Sequence, residues 1–147
     1  MIVRYCAEFG SSLPYDGIEN DEGTEFLQHP GKNVATAVGE LLRRIGYEAD
    51  DPMDAGDHGW EFEVRVKGYR RGRPKGGRFW CTVTLIDRHV MVFDNPSWWD
   101  KFLERHPALY LEALRALGRE MAADPLFSEV QWSLLDDTPA ASQPVED

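Results

Sequence analysis

The sequence is poor in cysteine and short of positive charge, and it has no long apolar run. Its two cysteines, Cys6 and Cys81, are far apart in the chain. That spacing excludes a disulfide scaffold or a clustered thiolate metal site and predicts reduced core thiols. No apolar stretch approaches the roughly 20 residues needed to cross a bilayer, so no membrane contact is expected. The opening Met1–Glu8 segment is too short and too soon acidic for a secretory signal, and a cytoplasmic location is expected. Lys and Arg number 16 against 26 Asp and Glu, a formal net charge of −10, which opposes non-specific binding to nucleic acid or anionic lipid.

What is present is core material. The 147 residues are 42% hydrophobic and 12% aromatic, with five Trp and seven Phe, enough for one domain with its own core. The charge is blocked: residues 1–63 carry −10, residues 64–78 carry +7 with no acid, and residues 79–147 carry −7. Two acidic stretches stand out, Asp16–Glu25 and Glu48–Asp57, the second continuing into Glu61 and Glu63. Charge runs of this kind are either solvated loops or faces that steer a basic partner.

Periodicity supplies the elements. Ile2–Phe9 reads as a strand, followed by a long irregular stretch over residues 10–32 in which Glu25-Phe26-Leu27 suggests a helical turn. Val34, Val38, Leu41, Leu42 and Ile45 form a helical stripe, capped by Asn33 and ended at Gly46. Gly39 within it points to close approach of another backbone. Tyr47–Ala49 is a short strand, and Trp60–Lys67 alternates apolar and charged residues as a strand with one wet face. A basic glycine-rich hairpin leads to strands at Arg78–Ile86 and His89–Asp94, joined by a tight Asp87-Arg88 turn that sets Ile86 opposite His89. Ser97 with Asp100 resembles a capping box opening a short helix. A second helix carries Leu109–Met121, and Phe127–Leu135 closes the order as a strand. The fold class expected is therefore α+β: an antiparallel sheet of about four to five strands, packed on one face by two or three helices. Residues 1–135 form the single domain, and residues 136–147 a flexible acidic tail.

No motif of covalent or metal chemistry is complete. A calcium loop started at Asp50 fails at Pro52 and Ala55. There is no G-x-S-x-G elbow and no Walker loop, and on the expected register Cys81 and His89 lie roughly 16 Å apart. Neither a metal, a cofactor nor a catalytic set is expected. Partner binding is assigned instead to the acidic side chains Asp50, Asp51, Asp54, Asp57, Glu61 and Glu63 with the aromatics Trp80, Trp98 and Trp99, since Trp is enriched at binding hot spots. The function expected is a non-catalytic protein-binding domain: a small acidic inhibitor or immunity protein that neutralises a basic toxin or enzyme. The alternatives are an acidic secretion chaperone or adaptor, for which a homodimer is expected, and a small hydrolase using Asp54, Asp57 and His58.

Overall fold

A computed structural model describes residues 1–70, 77–103, 105–134 and 140–147, the side chains of residues 98 and 101 excepted. In chain order the elements are β1 (Ile2–Val3), β2 (Cys6–Ser11), β3 (Ile18–Glu19), β4 (Phe26–Gln28), α1 (Lys32–Arg44), β5 (Tyr47–Ala49), β6 (Met53–Asp54), a 3-10 turn (Gly56–His58), β7 (Trp60–Val66), β8 (Arg78–Leu85), β9 (His89–Asp94), α2 (Trp98–Phe102), α3 (Ala108–Ala123), β10 (Phe127–Ser133) and β11 (Val145–Glu146). The molecule is α+β, built on a seven-stranded antiparallel sheet of order β10-β2-β9-β8-β7-β5, with β6 also paired to β7. The sheet is larger than the expected four to five strands because β5 and β6 both add to the outer edge of β7.

Alternation decides what each strand buries. Trp60, Phe62 and Val64 of β7 are buried, and across the ladder they face Val83, Cys81 and Phe79 of β8. Met91 and Phe93 of β9, Ala7 and Phe9 of β2 and Trp132 of β10 continue the same core, which also takes Val34, Val38, Leu41 and Leu42 of α1 and Leu114, Leu117 and Met121 of α3. Each fully buried large side chain of this kind contributes about 1.5–3 kcal/mol relative to exposure. Tyr110 ties α3 to the sheet: its ring stacks on Phe93 and its hydroxyl donates to the Phe93 carbonyl. Burial pushes that phenol's pKa well up, so it stays a donor.

Several local expectations are corrected. Leu85, not Ile86, faces His89, because Ile86, Asp87 and Arg88 all belong to the connection. The shift by one residue leaves Cys81 four strand positions from His89, roughly 13 Å, and burial raises the Cys81 thiol far above its ordinary range. Gly39 meets a ring, not a backbone: a Cβ there would lie 3.8 Å from Phe62. Gly59 is the glycine that backbone geometry demands, with φ of +92° and a Cβ position that collides with the Val83 carbonyl oxygen. Residues 136–147, expected as a flexible tail, are described from residue 140 onward, where they are paired. Ala141 bridges to Trp132 at the outer edge of β10, and Val145–Glu146 pairs with Ile2–Val3. The basic loop expected over 68–77 lies outside the described residues at 71–76.

Residues 10–32 are not an irregular loop. They contain the β3–β4 hairpin, with Ile18 opposite Gln28 and Glu19 opposite Phe26, so the expected helical turn at Glu25–Leu27 is a strand. Asn20 builds the tip: its side-chain oxygen accepts from the Thr24 and Glu25 amides, and its amide nitrogen donates to the Thr24 hydroxyl. The base is anchored by Asp16, which reaches across the sequence to the start of α1. Its two carboxylate oxygens accept from the Gly31 and Asn33 amides, both at 2.8 Å. Asp16 thus takes the capping role expected of Asn33, and a carboxylate is the favoured group at this positive helix end. Asn33 lies inside the first turn and donates instead to the Pro14 carbonyl.

Candidate functional site

The acidic residues singled out in the sequence do not form one face. Topology distributes them, and three of the six, Asp50, Asp51 and Glu63, meet an arginine of the same chain. Arg65 on β7 binds Asp50 through two nitrogens at 2.8 and 3.1 Å, Glu63 at 3.2 Å and Glu48 at 3.6 Å. The hydrogen bonds from Arg65 hold the Asp50 carboxyl below its ordinary pKa despite some desolvation. Arg78 binds the second oxygen of Glu63 at 2.9 Å. Asp51 pairs with Arg43, whose guanidinium also donates twice to the Ala49 carbonyl. That last contact covers an acceptor on the exposed edge of β5, one of the ways proteins protect a sheet edge from pairing with another chain. The basic block is therefore partly spent on the chain's own acids.

Asp54 and Asp57 sit at the opposite end of β7, around the 3-10 turn. The histidine between them is His29, not His58. One ring nitrogen of His29 lies 3.4 Å from Asp54 and the other 3.9 Å from Asp57. His58 is exposed and contributes its backbone carbonyl to the Thr84 hydroxyl. The grouping of Asp54, Asp57 and His58 that suggested a hydrolase is thus not assembled. Glu61 lies beside Thr82 on β8 and forms no ion pair among the described residues. Trp80 is half-buried between Glu63 and Asp94 in the ladder, with the Arg78 guanidinium over its ring at 5.6 Å. Trp99 is exposed on α2, and the Trp98 side chain lies outside what is described.

The surface that sequence reasoning left off its list of contact residues is the β3–β4 hairpin. Glu19, Asp21, Glu22 and Glu25 surround its tip and form no ion pair with any described residue. Apolar side chains are exposed among them: Ile18, Phe26 and Leu27, the last 72% exposed, with Tyr15 at the base and Met53 on β6 also exposed. The Phe26 ring contacts the His29 ring at 5.2 Å, so the hairpin runs into the Asp54–Asp57 turn. Below it, a groove of ≈ 490 Å³ opens between the hairpin base and α1, lined by Leu13, Asp16, Gln28, Lys32, Thr36 and Leu126 among others. The acidic run at 16–25 was visible in the sequence. Its apolar neighbours were hidden because they were assigned to a loop, where no face can be read.

No group of three or more His, Cys, Asp or Glu side chains among the described residues is placed to hold a metal ion. No helix among them is long and apolar enough to cross a membrane. No protein-family model, curated protein or solved structure matches this chain.

Proposed function

We propose that the chain is a non-catalytic protein-binding domain, a small acidic inhibitor or immunity protein acting in the cytoplasm on a basic toxin or enzyme, and that the β3–β4 hairpin is its contact surface. One observation carries this reading. Exposed Ile18, Phe26, Leu27 and Met53 stand among four carboxylates that pair with no cation among the described residues, while Asp50, Asp51 and Glu63 further along the chain are held by arginines. Apolar side chains rimmed by charge of one sign are the usual build of a protein interface: the apolar centre supplies affinity, and the charge supplies steering and selectivity. The Asn20 turn and the Asp16 anchor hold the hairpin in shape before binding, which lowers the ordering cost on association.

The test is capture of a basic protein from the source cell, identified by mass spectrometry, at about 50 and about 500 mM salt, where screening differs strongly. The intact chain is expected to retain such a protein at low salt and release it at high salt. Phe26→Ala with Leu27→Ala, and separately Glu19→Gln, Asp21→Asn, Glu22→Gln and Glu25→Gln together, are each expected to weaken retention roughly tenfold or more. Asp51→Asn is expected to leave it unchanged. Retention that ignores both salt and the hairpin substitutions would refute the reading.

A further inference from the structure

The described side chains of helix α2 and of Leu103 just after it are amphipathic the wrong way round. Among the described side chains of this segment the buried one is a carboxylate, Asp100, 2% exposed. Asp100 accepts from Arg105 at 2.6 Å and from the Asn95 amide at 3.0 Å, while its own backbone N–H donates to the Ser97 hydroxyl at 3.4 Å. Trp99, Phe102 and Leu103, at spacings of three and four residues, share the outer face and are 48%, 72% and 52% exposed. A polar clasp thus holds an apolar ridge out toward solvent, the reverse of the pattern by which a surface helix joins its core.

The charge around the ridge says what covers it. Two exposed apolar clusters stand out among the described residues. The hairpin cluster lies among Glu19, Asp21, Glu22 and Glu25, so contact with its own copy would press like charges together. Residues 95–109, in contrast, hold Asp100 and Glu104 against Lys101 and Arg105 and are neutral within a chain of −10. A second copy can approach there without that repulsion, and an apolar ridge is self-complementary about a two-fold axis. We infer that the α2 ridge is the contact through which two copies of this chain pair. Trp99, Phe102 and Leu103 expose roughly 350 Å² of side chain per copy, so pairing buries roughly 700 Å² of ridge. That is below the range of permanent dimers and within that of weak, reversible ones.

Sedimentation equilibrium of the full chain from about 1 µM to about 1 mM tests this. The average mass is expected to rise from one protomer toward two across that range, and to do so equally well in high salt, because the contact is apolar. Phe102→Glu, at an exposed position, is expected to keep the native circular dichroism and remain at one protomer throughout. The hairpin substitutions are expected to leave pairing intact, which separates this contact from the one proposed for a basic partner. A wild-type mass of one protomer at every concentration would overturn the inference and leave a different protein as the occupant. Unchanged pairing in Phe102→Glu would overturn it as well.

Discussion

Asp16→Ala removes the clasp between the hairpin base and α1. Asp16 supplies two hydrogen bonds of 2.8 Å to the first amides of the helix. A hydrogen bond to a charged group is worth about 1.5–3 kcal/mol, and a helix cap alone about 1 kcal/mol. The two bonds share one carboxylate, and water reaches the half-buried site, so the terms do not simply add; a loss of about 2–3 kcal/mol is expected. For a domain of this size that lowers Tm by about 6–10 °C. Asp16→Asn keeps one acceptor oxygen and loses the charge, for which about 1 kcal/mol is expected. Urea unfolding followed by tryptophan fluorescence gives both numbers, and hydrogen exchange locates the effect: the Gly31 and Asn33 amides should lose protection first. If Asp16→Ala lies within about 0.5 kcal/mol of the wild type, the carboxylate is not the cap and the hairpin has another anchor.

Two further outcomes follow from the packing. Gly39→Ala places a methyl in ordinary contact with Phe62 and Ala49 in the middle of α1, where alanine favours the helix by about 0.5–1 kcal/mol; a rise in Tm is expected, and a fall would show that the space is not there. His89 is half-buried with its ring stacked on Phe9, and burial lowers its pKa against an opposing pull from Asp16. With the folded value below the unfolded one, its contribution to stability is complete above the ordinary imidazole pKa and is lost as pH falls through that value toward the folded one. Carbon-13 NMR titration should therefore place the His89 midpoint below 6.5, and His89→Phe should flatten the melting curve in that window. A midpoint at or above the ordinary value would reverse the sign and refute the assignment.

Features set by neighbours in the sequence were legible, and features set by distant pairs were not. The β7 strand was readable because Trp60, Phe62 and Val64 alternate with Glu61, Glu63 and Arg65, and α1 because its apolar residues repeat every three or four positions. The β3–β4 hairpin has no such pattern. Its apolar residues point to solvent, and its shape comes from the Asn20 turn and from Asp16, whose partners lie at Gly31 and Asn33. The β8–β9 register failed by one residue because a connection of three residues fits the same sequence as a turn of two, and exposed Ile86 read as a strand residue. Among the contact residues, Asp50 and Glu63 looked available because nothing in their spacing shows that Arg65 stands between them on the folded sheet.

That last point governs which charges a partner can use. Exposed ion pairs contribute about 0–1 kcal/mol each, so the contacts of Arg43, Arg65 and Arg78 add little to stability. Their larger effect is on the field outside the protein. A cation approaching Asp50 must compete with the Arg65 guanidinium, which already occupies both carboxylate oxygens and favours the charged form. A cation approaching Glu19, Asp21, Glu22 or Glu25 competes with no cation among the described residues, and the ionic atmosphere screens those groups within about 8–10 Å. Attraction at the hairpin is therefore short in range, and it acts where Phe26 and Leu27 are already exposed for contact. The folding topology draws Arg65 and Arg78 onto Glu48, Asp50 and Glu63, and so leaves the hairpin, whose acids meet no described cation, as the acidic segment that pairs open charge with exposed Phe26 and Leu27.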